Sequence, residues 1–205
     1  MPSTANPPSG AAGNGPVTAW EEAPLPEERQ RLFEILTGPA TSLYAVLDAA
    51  RDLAALNWSK ESGEEYQSLY DGESARNLEM FAPYLVRFSR PSPLLRKLIA
   101  KSWGRSWGIY LTSAASFPDL RKHFRHFLMA ETEGARTVYF RFYDPRVLRL
   151  YLHTCNPQEV RQFFGPIESL FVEDEDPIRL LWFRVGARGL ELEDVSLERG
   201  DASNP

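Results

Sequence analysis

The residues most suggestive of catalysis form the pentapeptide at 104–108 (GRSWG), which matches the G-x-S-x-G pattern of serine hydrolases. Asp144 and His153 follow it in the chain order found in α/β-hydrolases. That mechanism requires a strand, a tight turn and then a helix, because this geometry lifts the serine oxygen above the sheet. Here the apolar spacing predicts a helix before the pentapeptide and a strand after it, which is the reverse order. A small serine hydrolase using Ser106 is therefore the alternative function, and no catalytic residue is assigned.

Histidine spacing raises the question of a metal site. His123 and His126 stand three residues apart in a predicted helix, and His153 lies two residues before Cys155. A metal centre needs three or four ligands, and the glutamate of H-E-x-x-H is missing between the two helical histidines. Solvent-exposed histidines explain this spacing better. Glycine-rich phosphate loops are also absent from the sequence. The sequence thus predicts neither a metal nor a cofactor.

A second candidate site is the segment at 140–146 (FRFYDPR), in which Arg141 lies between aromatic residues. Alternation over Thr137–Tyr143 predicts a strand that carries Arg141 in its middle. We expect Arg141 to pair with Asp48, at the end of another predicted strand, and Asp144 to cap the helix that follows. This group is either a structural ion pair with a helix cap or a recognition site for a protein. Its protein-binding candidates are Arg141, Tyr143 and Arg146.

Charge is distributed unevenly along the chain. The whole chain has a net charge of −5 and a pI of about 5.3, yet residues 84–128 include nine basic residues and one acid, Asp119, for a charge of +8. Such a stretch either pairs with acidic segments of the same chain or binds an acidic partner. Nucleic-acid binding is a third alternative, but the acidic pI and the lack of a nucleic-acid motif argue against it. The protein-binding candidates here are Arg96, Lys97, Lys101, Arg121 and Arg125.

Composition is that of an ordinary globular protein, with 43% hydrophobic and 12% aromatic residues. No stretch reaches the ~18 apolar residues that span a membrane, and the N-terminus lacks the pattern of a secretory signal. Cys155 is the single cysteine, so a reducing compartment is expected. We therefore expect a cytoplasmic protein without membrane association. Its predicted parts are a flexible segment at 1–24, one domain at 25–196 and a flexible tail at 197–205.

Strand-like and helix-like segments alternate along the domain. Short apolar runs such as Leu43–Asp48 and Trp107–Thr112 predict strands, whereas Glu64–Tyr70 and Ser74–Phe81 are predicted to be short helical turns. Leu180–Val195 is predicted to be a closing hairpin. This alternation favours an α/β fold. We predict a single domain with a mixed, mostly parallel sheet, flanking helices and a C-terminal antiparallel hairpin.

Several segments resemble those of one family, in the same order along the chain. The matching runs are Tyr44–Ala50, Glu65–Gly72, Ala82–Val86, Trp107–Ile109, Leu120–Leu128, Phe140–Arg146 and Phe163–Pro166. F-R-F-Y-D-P-R followed by F-F-G-P is the specific part of the match. Over about 43–172 the chain resembles the type VI secretion adaptor (effector-chaperone) domain, a family long catalogued as a domain of unknown function.

The resemblance implies a non-catalytic bacterial protein that binds an effector (a toxin) and the C-terminal region of a VgrG-type spike protein. It would thereby bring cargo and carrier together. Members often have a C-terminal lobe beyond the shared domain, whereas only 33 residues follow Val172 here, beginning with the acidic run at 173–176. The preferred hypothesis is therefore an adaptor that binds proteins, and the hydrolase and the nucleic-acid binder are the alternatives.

Overall fold

The computed structural model describes residues 24–131 and 137–198, without the side chains of 129–138. Its strands are β1 (Ser42–Asp48), β2 (Glu65–Ser68), β3 (Pro83–Arg87), β4 (Gly108–Ser113), β5 (Met129–Glu131), β6 (Thr137–Tyr139), β7 (Ile167–Glu173), β8 (Arg179–Gly186) and β9 (Gly189–Ser196). Seven of them form one sheet in the order β2-β3-β1-β4-β7-β8-β9, and β5 pairs with β6 separately. The predicted flexible segments 1–24 and 197–205 lie largely outside the described residues.

The helices are α1 (Glu27–Thr37), α2 (Ala54–Ser62), α3 (Gly72–Asn77), α4 (Pro93–Ser102), α5 (Phe117–Phe127), α6 (Pro145–Thr154) and α7 (Pro157–Phe164), with a 3₁₀ helix at Glu79–Phe81. Four of them begin at a polar N-cap whose side chain accepts a backbone N–H, with proline in the first turn. Their caps are Ser92, Ser116, Asp144 and Asn156. Such caps satisfy N–H groups that have no partner inside the helix, and proline needs none. No helix of the described residues is long and apolar enough to cross a membrane.

Every strand pair of the main sheet is antiparallel, so the predicted mostly parallel sheet is wrong. The helix α4 does connect two strands of the same direction, β3 and β4. These strands are not neighbours, because β1 lies between them and runs antiparallel to both. Alternation of strand and helix along the chain contained no information about β1, the strand that separates β3 from β4.

Helices cover both faces of the sheet. Leu43, Ala45 and Leu47 of β1 pack in a core with α1, α2 and α4, whereas Tyr44 and Val46 pack in a second core with α5, α6 and α7. Strand β1 is thus buried on both sides, which is why its sequence is apolar without alternation. The described part of the chain thus has three layers, with the sheet in the middle.

Two local predictions are also wrong. Glu64–Tyr70 was expected to be helical, but residues Glu65–Ser68 form β2, which pairs with β3. The strand predicted over Thr137–Tyr143 ends at Tyr139, because the chain turns and Asp144 N–H bonds back to the carbonyl of Arg141 before α6 begins. As a result, neighbouring aromatic residues of this segment are both buried instead of alternating.

Candidate functional site

The first part of the candidate site is the contact between α5 and the loop that follows β2. Arg121 donates from Nε to the carbonyl of Ser68 (2.8 Å) and from Nη2 to the carbonyl of Tyr70 (3.1 Å). One turn further along α5, Arg125 forms an ion pair with Asp71 at 2.7 Å. The two arginines lie at i and i+4, so they share one side of the helix. Together they fasten the loop after β2 to α5.

The second part is the ion pair between Asp48 and Arg141. Asp48 ends β1 with a completely buried side chain and accepts the backbone N–H of Ala50 at 3.0 Å. Its other oxygen lies 2.5 Å from Nη2 of Arg141. Burial opposes the charge of Arg141, but the hydrogen bond and charge of Asp48 outweigh that effect and raise the pKa of the guanidinium. Sequence reasoning paired these two residues, and the structure places them together.

Tyrosines connect these two parts. The side chains of Tyr70 and Tyr143 are hydrogen-bonded to each other. The ring of Tyr70 also lies 5.6 Å from that of Tyr139, and the guanidinium of Arg141 lies 6.0 Å from the ring of Tyr143. Tyr143 is buried, and burial raises its pKa well above the ordinary value of a phenol. Tyr139 is half exposed, at 52%. Tyr143 is therefore a buried residue on which Arg141 packs, whereas the side chain of Tyr139 is accessible from solvent.

The third part is the start of α6. Asp144 accepts the backbone N–H of Arg146 and two further hydrogen bonds from its side chain, from Nε at 2.9 Å and from Nη2 at 2.6 Å. Burial acts to raise the pKa of Asp144, but the hydrogen bonds and the charge of Arg146 lower it overall. The side chain of Arg146 remains about half exposed. Asp144 thus caps the helix, as the sequence suggested, and also holds an arginine in place.

These contacts define one continuous region, which we call the arginine–tyrosine surface. Its members are Tyr70, Arg121, Arg125, Tyr139, Arg141 and Arg146. Arg121, Arg125, Arg141 and Arg146 were candidates from the sequence, with Tyr143 beneath them. Tyr70, Tyr139 and Asp71 were not, because nothing in the sequence indicates that the loop after β2 meets α5.

Next to this surface lies a segment that we call the apolar arm, residues 72–81, which contains α3 and the 3₁₀ helix. Neither helix contributes a buried residue. Leu78, Met80 and Phe81 are all exposed, the last two at 54% and 55%. Asp71, which pairs with Arg125, is the N-cap of α3, so the arm begins at the arginine–tyrosine surface. The predicted helical turns at Ser74–Phe81 correspond to it, but its exposure was not foreseen.

The remaining basic candidates lie elsewhere. Arg96, Lys97 and Lys101 are on α4, which packs on the opposite face of the sheet from α5. Lys97 places its ammonium 4.3 Å from the ring centre of Trp58. The basic residues that cluster in the sequence therefore form two separate regions in the structure.

The G-x-S-x-G pentapeptide forms a turn from the end of α4 to the start of β4. Gly104 and Ser106 both have positive φ angles, of 84° and 57°. Their backbone N–H groups donate to the two carboxylate oxygens of Glu173, each at 2.6 Å. Asp144 binds Arg146, and the ring of His153 packs against Phe183. The order of elements is thus helix–turn–strand, and the other two residues of the supposed triad are engaged elsewhere.

Glu173 is the main residue that sequence reasoning missed. It begins an acidic run that would ordinarily face water, yet it is buried at the end of β7, and burial raises its pKa. A glutamate at the end of an apolar strand was the available signal. The histidines do not assemble with other ligands: within the described part of the chain, no three histidine, cysteine or acidic side chains are close enough to hold a metal ion.

Comparison with known families gives one match. Residues 43–162 match the family described as Domain of unknown function (DUF4123). The match extends over more than half of the chain, so the chain belongs to this family. Neither a curated protein nor a solved structure matches the chain. All six residues of the arginine–tyrosine surface lie within the matched range, as does the apolar arm.

Proposed function

We propose that this protein is a non-catalytic cytoplasmic adaptor that binds a type VI secretion effector and the C-terminal region of a VgrG-type spike protein. The resemblance described from the sequence supplies the identity of these partners. The single structural observation that carries the proposal is the arginine–tyrosine surface, together with the apolar arm beside it. Neither nucleic acid nor membrane is among the proposed partners.

The composition and rigidity of the arginine–tyrosine surface suit protein binding. Arginine and tyrosine are enriched at interfaces and among the residues that contribute most to affinity. Arg141 and Arg146 are each held by a buried aspartate while their side chains stay partly exposed. A side chain that is already ordered loses little entropy when a partner binds. The two arginine side chains are therefore preorganised, which lowers the entropic cost of binding a protein partner.

The apolar arm adds hydrophobic contact area. Its last helix is held by Glu79, which binds Lys60 at 2.6 Å and whose carbonyl accepts the hydroxyl of Tyr84 at 3.0 Å. The arm is therefore anchored at both ends while Met80 and Phe81 face outward. An apolar patch beside charged residues is typical of a protein interaction site. A partner with apolar side chains beside hydrogen-bond acceptors fits this combination best, because Asp71, Asp48 and Asp144 already neutralise much of the charge of the arginines.

The separation of the basic residues supports a protein partner over nucleic acid. Phosphate backbones are bound by a continuous basic stripe, whereas α4 and α5 lie on opposite faces of the sheet. Part of the charge of Arg125, on α5, is also neutralised by Asp71.

Co-purification tests the proposal. The full chain is expressed with the spike protein and the toxin encoded beside it, and we expect both to co-purify. Met80→Asp combined with Phe81→Asp should reduce affinity for at least one partner by tenfold or more, because it places two charges in the apolar arm. Leu192→Asp is the matched control, since Leu192 is a similarly exposed apolar residue on β9 at the far edge of the sheet. Failure of the wild-type chain to retain any neighbouring spike or toxin would contradict the proposal.

A further inference from the structure

Two ion pairs of the arginine–tyrosine surface form one group, which we call the aspartate–arginine cluster: Asp48 with Arg141, and Asp144 with Arg146. The closest distances between their charged atoms are 2.5 Å and 2.6 Å. The pairs are near enough for the charge of each aspartate to act on both arginines. With two carboxylates and two guanidinium groups, the cluster has no net charge.

The acids and the bases of this cluster lie at different depths. Asp48 and Asp144 have almost no exposed side-chain surface, whereas the side chains of Arg141 and Arg146 are 43% and 51% exposed. A partner therefore meets guanidinium N–H groups first, with the carboxylates beneath them. The outer face of the cluster consists of hydrogen-bond donors, although the cluster as a whole is neutral.

Several of these donors are not used within the described part of the chain. Asp48 accepts from Nη2 of Arg141, and Asp144 accepts from Nε and Nη2 of Arg146. That leaves Nε and Nη1 of Arg141, and Nη1 of Arg146, without an acceptor among the described residues. A guanidinium has five N–H groups in a fixed fork, and the aspartates set the direction of that fork. The cluster thus offers oriented donors to an acceptor from outside the chain.

Other arginines show which acceptor such donors take inside the folded chain. Six of them donate to main-chain carbonyl groups of described residues: Arg29, Arg31, Arg51, Arg90, Arg121 and Arg149. Arg121 belongs to the arginine–tyrosine surface and holds the carbonyls of Ser68 and Tyr70. A guanidinium of the same surface therefore already binds the main chain of a loop.

We infer that the aspartate–arginine cluster binds main-chain carbonyl groups of an uncharged segment of the partner protein. This inference rests on the proposed function, because it specifies the partner of the same surface. Carbonyl groups that become buried at an interface need donors, and the free N–H groups of Arg141 and Arg146 supply them. A carbonyl group brings no net charge, so it leaves the balance with Asp48 and Asp144 undisturbed.

A carboxylate or phosphate is the alternative acceptor, and the charges around the cluster oppose it. A third carboxylate, added to two arginines that already have two buried aspartates, would give the group a net negative charge, and the incoming anion would also lose its water. Arg146 further lines a cavity with Arg149 and three acidic residues, Glu173, Asp174 and Glu175. An anion at this side of the cluster would face more acids than bases.

Recognition of carbonyl groups assigns different roles to the two parts of the proposed interface. Every protein segment has main-chain carbonyls, so the cluster contributes affinity without selecting a sequence. Selection then depends on the apolar side chains that fit Met80 and Phe81 of the apolar arm. The cluster adds one restriction, because acidic side chains are disfavoured beside it.

Acetate tests the charge balance without spike or toxin. In NMR spectra of the full chain, sodium acetate should shift the Nε–H signals of Arg141 and Arg146 no more than the same concentration of sodium chloride does. Asp144→Asn keeps an oxygen for the helix cap but removes one negative charge, so in this variant acetate should cause a saturable shift of the Arg146 signal. Equal behaviour of the two proteins contradicts the inference.

The salt dependence of partner binding tests the acceptor directly, and it requires no variant to fold. Affinity of the wild-type chain for the spike or toxin that co-purifies with it should change less than about threefold between roughly 50 and 500 mM NaCl, because contacts to neutral carbonyls are little screened. A decrease of about tenfold or more would mean that charged groups of the partner are recognised. That result overturns the inference while the adaptor function stands. If neither protein binds, the proposed function fails and the inference falls with it, whatever the acetate result.

Arginine-to-lysine substitutions separate hydrogen-bond geometry from charge. Arg141→Lys and Arg146→Lys retain the positive charge but lose the planar fork of donors, so each should reduce affinity for the co-purifying partner at least about fivefold. Arg184→Lys is the matched control, since Arg184 on β8 is a similarly exposed arginine that binds Glu193 at 2.9 Å, outside the arginine–tyrosine surface. Thermal unfolding of each variant checks that the fold is retained. Full affinity in both cluster variants would show that charge alone is sufficient, and the inference would be wrong.

Discussion

Ser106 donates its backbone N–H to the carboxylate of Glu173, and Gly104 donates to the other oxygen of the same carboxylate. The relationship explains the G-x-S-x-G pattern without catalysis. Two residues of this turn have positive φ angles, which glycine adopts freely and serine tolerates at some cost. Glu173 binds both N–H groups and so fixes the turn between α4 and β4. The pentapeptide is a structural turn held by a buried acid.

Replacing that acid should destabilise the protein. Glu173→Ala leaves two backbone N–H groups near the protein interior without an acceptor, at a cost of about 2–4 kcal/mol. Glu173→Gln retains one acceptor oxygen and should cost less. Urea denaturation of the three proteins, monitored by tryptophan fluorescence, measures the difference in free energy of unfolding. A loss smaller than about 1 kcal/mol for the alanine variant would show that the turn does not depend on Glu173.

Substitutions at Ser106 should follow backbone conformation. At a φ of 57°, Ser106→Gly should leave stability unchanged within about 1 kcal/mol, whereas the β-branched Ser106→Val should lose about 1–3 kcal/mol. Thermal unfolding gives both values. Treatment with a serine-directed fluorophosphonate should give no labelling of the wild-type chain. Labelling that disappears in Ser106→Ala would favour the hydrolase instead.

The ion pair between Asp48 and Arg141 should show energetic coupling. Arg141→Ala leaves the fully buried Asp48 carboxylate without its cation, and we expect a loss of about 1–3 kcal/mol, at the low end for buried pairs because Arg141 is partly exposed. Combining it with Asp48→Asn should cost less than the sum of the two single changes. Chemical denaturation of all four proteins completes the cycle. Strict additivity would mean that the contact adds nothing to stability.

Lowering the pH should remove the contribution of the ionised Asp144 to the free energy of unfolding. Its folded-state pKa is lowered, so its ionisation stabilises the fold above the ordinary carboxyl range, and this contribution is lost as the pH falls through the lowered value. Asp144→Asn should therefore be less stable than wild type at pH 7, and the gap should close below about pH 4. Unfolding measured between pH 3 and 7 tests the trend. If the difference in free energy of unfolding between wild type and Asp144→Asn stays constant over this range, the loss of stability comes from helix capping and not from the charge of Asp144.

Local features were predictable from the sequence where one short segment determines them. The helix caps at Ser92, Ser116, Asp144 and Asn156 each combine a polar side chain with a proline in the following turn, and the structure has a helix at each of them. The apolar run of β1 likewise indicated a strand. These features depend on hydrogen bonds and burial within a few residues of each other.

Features that depend on distant parts of the chain were not predictable. The direction of the strands depends on β1 lying between β3 and β4, which no local pattern encodes. Glu173 binds Gly104 and Asp71 binds Arg125, and both partners lie far away in sequence. The residues around Glu173 and Asp71 in the sequence therefore gave no sign of these contacts. The charge count over 84–128 was correct as a count, yet folding divides these residues between two faces.

The central position of β1 has a consequence for how the chain is made. This strand is synthesised before either of its neighbours, and its first residue, Ser42, pairs with Ser113 far along the chain. Until β4 leaves the ribosome, an apolar strand that belongs in the middle of the sheet has an unpaired edge. Pairings of such long sequence separation slow folding. The edge of β1 that faces β4 therefore stays unpaired throughout the synthesis of α4, and it can be covered only once Ser113 has emerged.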